Sequence, residues 1–281
     1  MNRHERRKAA SLHKIGLRAL KLRCVGCDRA GRTMSQEHFF PRWLIKHADV
    51  RRDGIEWLGK KGLNPEKATV PLCEECNNEF ANTLEGPVSS ILRGLESGEA
   101  LSDLEAEIIV RWMWKFEGLQ WSLYAPSEGR YTAKHSLRDR VTKPNAFSEI
   151  RERLLLAVAF CHANDPGFED WPLGIDTPPG EDAITMSGVF RRTAIVTSLT
   201  DFADVIPDVF GKYVFGPTPE DRTAKVFLPP CSFLTANGAI QATKETALHL
   251  STAHTALGRQ LREDAKPQLV PVRYRVELPP V

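Results

Sequence analysis

The chain reads as an α+β protein: an N-terminal module stapled by metal, then a helical segment, then a mixed α+β C-terminal region. Three observations predict this. Two Cys-x-x-C pairs, Cys24/Cys27 and Cys73/Cys76, bracket a stretch of short polar and aromatic runs. Leu104, Ile108, Trp112, Phe116 and Leu119 recur at helical spacing. Beyond Pro166 proline and glycine become frequent and the apolar runs become short and β-branched, which favours strands. Helices first and a sheet later is the order of an α+β chain. The expected organisation is a basic arm over 1–23, a metal module over 24–86, a helical region over 87–165 and an α+β region over 166–281.

With 281 residues, 42% of them hydrophobic and 26% charged, the chain has enough apolar surface for a real core and the composition of an ordinary soluble protein. No apolar run reaches the length of a membrane span, and the basic N-terminus is not followed by the apolar segment of a secretory signal. Membrane association is therefore not expected. Cysteines paired at Cys-x-x-C spacing without an export signal favour metal over disulfides, and hence the reducing cytoplasm. Cys161 and Cys231 stand alone and read as small buried hydrophobes. The overall charge of +2 hides an asymmetry: residues 1–23 carry eight Lys and Arg against Glu5 alone, so the remainder is net acidic. Such an arm is suited to phosphate contacts, which are insensitive to base sequence and sensitive to salt.

Taken in order, residues 1–23 read as a start leading into a short basic helix. Cys24–Cys27 is a tight knuckle with Gly26 for the turn. Residues 37–40 read as a short strand ended by Pro41, and 42–47 as a helical turn. Residues 50–68 read as a polar hairpin or loop. A helix is expected to begin near Asn77, run to Glu85 and break at Gly86-Pro87. Another covers 88–95 and stops at Gly98. Ser102 with Glu105 three residues on is a capping box for the long helix behind it. Of Trp112, Trp114 and Trp121, only Trp114 falls well off its apolar stripe, and such aromatics usually build core. A polar region over 125–145 precedes a helix expected over 145–161, with Ile150, Leu154, Leu155 and Val158 inward. Strands are expected over 184–189, 193–199, 213–215 and 225–228, a long helix over 239–261, and a half-buried strand over 270–278. His135, His162, His249 and His254 show no ligand or triad spacing.

The chemistry concentrates in residues 24–85. Cys24, Cys27, Cys73 and Cys76 can close around one tetrahedral Zn²⁺, because two residues between ligands let one turn present both sulfurs. Such a site has no open position, so its role is structural. Glu37-His38 lies inside the bracket, and a neutral imidazole can take a proton from water near neutral pH. Adjacent strand residues face opposite ways, so both reach one site only if the strand bends or the site lies at its edge.

Glu-His followed by Pro, then Cys-x-x-Cys-Asn, resembles the HNH endonucleases, whose ββα-metal core binds one divalent ion and in many members carries two Cys-x-x-Cys knuckles. The stretches Glu37–Leu44 (EHFFPRWL) and Cys73–Glu85 (CEECNNEFANTLE) are similar to a largely uncharacterised group of HNH-type proteins, over roughly residues 24–121. The resemblance implies a ββα, treble-clef-like module that hydrolyses phosphodiester bonds in nucleic acid, with double-stranded DNA as the partner. It implies His38 as general base, Glu37 and Asn77 as ligands of a catalytic Mg²⁺ or Mn²⁺, and the four cysteines on structural zinc. Glu85, eight residues past Asn77, is a further ligand or outer partner, or else forms a salt bridge to Arg42 or Lys46. Arg3, Arg6, Arg7 and Lys8 of the arm, with Arg51, Arg52, Lys60 and Lys61, would hold phosphates. A restriction or phage-defence role would suit such a nuclease. The family's middle asparagine falls at Ala68, with Asn64 out of register, and this keeps open a zinc-stabilised nucleic-acid-binding protein that does not cut.

Overall fold

The computed structural model describes residues 23–48, 55–57, 60–124, 136–160, 174–176, 185–218, 224–230 and parts of 238–250; for 55–57, 60–63, 121–124, 145 and 174–176 it describes the backbone alone. The basic helix expected within 1–23, the terminal strand over 270–278, Cys161 and Cys231 lie outside the described residues.

Strand β1 (Met34–His38) is followed by helix α1 (Arg42–His47), the hairpin β2 (Ile55–Trp57) and β3 (Lys60–Leu63), a 3-10 turn (Pro65–Lys67) and strand β4 (Thr69–Cys73). β1 and β4 pair antiparallel, Met34 opposite Cys73 and His38 opposite Thr69. Helix α2 (Glu74–Phe80) starts directly from β4 and packs back on both strands. The expected break at Gly86-Pro87 does not occur. The backbone passes through a π turn (Ala81–Glu85) straight into α3 (Gly86–Glu96), with Pro87 in that helix's first turn. Proline costs least in a first turn, where its missing N–H removes no helical bond, and Leu84 and Val88 are both buried on the core side. Gly98, at φ +90°, ends α3 as expected.

Strand β5 (Leu101–Ser102) leads into α4 (Asp103–Tyr124), the central helix. Its capping box is reciprocal: Glu105 Oε2 accepts from Ser102 N at 2.6 Å and Ser102 Oγ accepts from Glu105 N at 3.3 Å. α4 is covered all round rather than along one stripe. Trp114 is as buried as Trp112, and Lys115 and Glu117 are buried with them. Short helices α5 (Leu137–Thr142) and α6 (Pro144–Ser148) follow. The helix expected over 145–161 is a correction. After Ser148 a 3-10 turn (Arg151–Arg153) gives way to strand β6 (Leu154–Phe160). Leu-Leu-Leu-Ala-Val-Ala-Phe is an unbroken apolar run, and both faces of it are buried in a sheet.

That sheet has the order β10-β6-β9-β8-β7, antiparallel throughout. Its other strands are β7 (Gly174–Asp176), β8 (Met186–Phe190), β9 (Thr193–Leu199) and β10 (Gly211–Val214). It therefore joins strands from both sides of residue 165. β11 (Lys225–Phe227) pairs with β5. α3 packs on β9 and α4 on β8, while Ser187 Oγ donates to Thr243 O among the helical residues between 238 and 250. One contiguous core results. Phe39 and Phe40 of the N-terminal module meet Phe116 of α4, and Phe116 and Trp112 meet Phe190 of β8. No helix among the described residues is long and apolar enough to cross a membrane.

Candidate metal centre

Two chain segments 46 residues apart supply the four thiols. In the first, Cys24 N donates to Arg29 O and Asp28 N to Cys24 O, closing a knuckle that Arg23 braces by binding the Asp28 carboxylate. The left-handed residue of this turn is Asp28, at φ +56°, rather than Gly26. Gly26 is needed for another reason: a Cβ there would stand 3.1 Å from both Cβ and Sγ of Cys76. In the second segment Cys73 ends β4 and Cys76 lies in the first turn of α2, so the strand-to-helix junction aims both sulfurs at the knuckle. Val25 N donates to Pro71 O and ties the two segments together.

All four sulfurs lie within 4.8 Å of one another. Cys27 and Cys73 are 3.9 Å apart, close to the ~3.8 Å edge of a tetrahedron with Zn–S bonds near 2.3 Å. That separation is far beyond a disulfide bond, and all four cysteines are free. The arrangement fits a four-thiolate metal site such as zinc occupies. Its protons are already unequally shared. The Cys76 thiol bonds to Cys24 and, with Cys73 N at 3.2 Å, lowers the Cys24 thiol to about 4 against the opposing effect of burial. The same bond pushes Cys76 up, and burial pushes Cys27 up.

A third segment closes over the centre. Arg138 N of α5 donates to Gly26 O at 2.8 Å, and the Arg138 guanidinium binds Glu75 at 2.7 Å and also Glu79, both on α2. Arg138 thus touches both halves of the thiol cluster. Burial disfavours its charge, but the two carboxylates and Cys76 outweigh this and hold its pKa above the ordinary arginine value. Sequence reasoning missed this residue, because nothing local in the 125–145 stretch links it to a knuckle more than a hundred residues earlier.

The other expected site residues are placed as follows. Glu37 and His38 are half-buried neighbours on β1, and Asn77 is half-buried in α2 directly after Cys76. Among the described residues the three side chains make no hydrogen bond or ion pair. β1 has β4 as its one described strand neighbour. The carboxylate and amide oxygens of Glu37 and Asn77 are the donor types a hard divalent ion takes. Ala68 is buried, its carbonyl accepting from Phe39 N at 2.6 Å, while Asn64 caps the 3-10 turn through Glu66 N at 2.9 Å. Glu85 pairs with neither Arg42 nor Lys46 but with Lys115 of α4, a fully buried lysine that also lies 5.7 Å from the Phe80 ring. The side chains of Lys60 and Lys61, and all of Arg3, Arg6, Arg7, Lys8, Arg51 and Arg52, lie outside the described residues. Compared with protein-family models, with curated proteins and with solved structures, the chain matches none.

Proposed function

We propose that the chain is a metal-dependent endonuclease of HNH type acting on DNA. The observation that carries the reading is a juxtaposition. The thiol cluster ties the end of β4 and the start of α2 to the knuckle, and the β1–β4 pair and α2 beside it carry Glu37, His38 and Asn77, whose side chains have no partner among the described residues. In this reading zinc on Cys24, Cys27, Cys73 and Cys76 fixes the hairpin against the helix. His38 takes the proton of the attacking water. Glu37 and Asn77 hold Mg²⁺ or Mn²⁺, which when bound supplies positive charge where the leaving oxygen becomes negative. Glu85, held by Lys115, braces the far end of the same helical run. The test is plasmid nicking in Mg²⁺ or Mn²⁺ by the wild type and His38→Ala. The variant is expected to keep its zinc and its melting point and to lose about 10²-fold or more of its rate. Cleavage at the wild-type rate by His38→Ala removes the general-base assignment.

A second reading, a zinc-stabilised protein that binds nucleic acid without cutting it, is favoured by Ala68. Where the family pattern has an asparagine side chain to shape the loop, this chain has a methyl and uses the backbone carbonyl in a strand-like bond instead. Protein that retards DNA but never nicks it in either metal would select this reading.

A further inference from the structure

Among the described residues most cations are paired with a carboxylate, and a smaller group is not. Arg138, Arg140, Lys143, Arg151, Arg153, Arg191, Lys212 and Lys225, all beyond residue 137, are each paired with a carboxylate, as is buried Lys115. Arg29, Arg32, Arg42, Lys46, Lys67 and Arg93, all in the N-terminal part, are exposed, and their side chains make no hydrogen bond or ion pair among the described residues. Three of these six converge. Arg42 and Lys46 are four apart on α1, which places them on one helix face. Lys67 ends the 3-10 turn that packs on both α1 and β1. Phe39 N bonds to Ala68 O just past the His38–Thr69 pair, so Lys67 belongs to the His38 end of the hairpin. The thiols sit at the other end, where Met34 faces Cys73, about 13 Å away at the usual rise per residue. In chain order the β2–β3 hairpin, whose strand β3 holds Lys60 and Lys61, lies between α1 and the 3-10 turn. The described carboxylates of the neighbourhood are Glu37 on β1, exposed Glu66 beside Lys67, and Glu96, which lies 3.3 Å from His47 of α1; Glu37 and Glu66 pair with no cation among the described residues.

We infer that Arg42, Lys46 and Lys67 form one phosphate-binding edge beside His38, which takes the phosphodiester backbone of duplex DNA. The inference rests on the nucleic-acid reading above, whether or not the protein cuts. Exposed cations left unpaired lose no internal partner when they meet phosphates, and each phosphate neutralised releases condensed counterions. Such contacts set register and orientation without reading bases. A backbone held on α1 and the 3-10 turn would run past His38 and away from the closed thiol cluster.

The experiment is fluorescence anisotropy of a short labelled DNA duplex with the full-length, zinc-loaded protein over a salt series. The triple variant Arg42→Gln/Lys46→Gln/Lys67→Gln is compared with the control Arg153→Gln/Lys225→Gln on the sheet side. Three lost phosphate contacts should reduce the log–log salt slope by about 2.7 and weaken low-salt binding at least tenfold, equally for unrelated duplex sequences. The control should keep the wild-type slope. All five side chains are at least partly exposed, and zinc content with melting point verifies that each variant is folded. A triple variant with the wild-type slope overturns the inference while leaving the nucleic-acid reading standing. Wild-type protein that binds no duplex at any salt overturns both.

Discussion

A methyl group on Gly26 would stand 3.1 Å from both Cβ and Sγ of Cys76 and 3.3 Å from Leu72, all of them in the interior of the metal module. None is the free end of a flexible chain, so the knuckle would have to move away from the helix. Gly26→Ala is therefore expected to lower zinc stoichiometry measured on protein prepared without added metal, although it changes no ligand. Full occupancy in that variant would show that the knuckle has slack the packing does not suggest. The thiols themselves set a pH dependence. Zinc must displace protons from Cys76, raised by its bond to the Cys24 thiolate, and from Cys27, raised by burial, whereas Cys24 at about 4 is already ionised at neutral pH. A raised pKa means that the proton competes with the metal, so apparent zinc affinity should climb with pH, by at least about two log units per pH unit while both of these thiols are protonated. Chelator competition across the neutral range measures this, and a flat profile would mean those thiols are already deprotonated.

At the level of elements, α5 is the part whose purpose is least visible in the chain. It is six residues long, yet Leu137 and Arg140 dock it on α4 where Gly118 leaves space, a Cβ there lying 2.5 Å from Leu137 Cδ1. The Arg140 guanidinium meets Glu117 and the Trp114 carbonyl, and Arg138 points the other way to the thiol cluster. Arg138→Ala keeps all four thiols but loses the guanidinium clamp on α2. It should release zinc to a chromogenic chelator several-fold faster than wild type, with Arg138→Lys intermediate because it keeps charge but not the fork. An unchanged release rate would reduce Arg138 to a surface ion pair. The contrast with what the chain revealed beforehand is physical. Signals carried within a few residues were legible: the Cys-x-x-C knuckles, the Ser102–Glu105 box, the Gly98 stop and the β9 run from Thr193 to Leu199. Signals settled by tertiary neighbours were not. Leu154, Leu155 and Val158 fit a helical face as well as a strand, and only a sheet burying both faces of β6 decides between them. Pro87 is an ordinary helix breaker until a π turn before it and buried Leu84 and Val88 carry the helix through. Glu85 has nearer cations in sequence than Lys115, and its partner is chosen by the packing of α4.

Across the whole molecule, the metal module is not a separable bead. Its Phe39 and Phe40 are fully enclosed against Phe116 of α4, and Trp112 and Phe116 in turn contact Phe190 of the sheet, so one apolar cluster runs from Cys24 to Leu250. A second tie reinforces the first. Glu96 at the end of α3 receives Arg191 Nη1 and Arg192 N from the β8–β9 turn at 3.3 Å each, and lies 3.3 Å from His47 Nε2 of α1. A ligand that binds only the folded state stabilises whatever unfolds together with its site. Because module, central helix and sheet share a core, stripping zinc with a strong chelator should lower the melting point of the whole chain in a single transition. Near-ultraviolet circular dichroism, which reports the Trp112–Phe190 region, should lose signal at the same temperature as a far-ultraviolet probe of the sheet. Two transitions, with the sheet melting where it did before chelation, would mean that the aromatic seam is a contact between independent bodies. The thiol cluster would then staple only the hairpin and helix that carry Glu37, His38 and Asn77. If the transition is single, zinc holds those three residues in register with the same free energy that keeps the sheet folded, and losing the metal costs the site and the fold together.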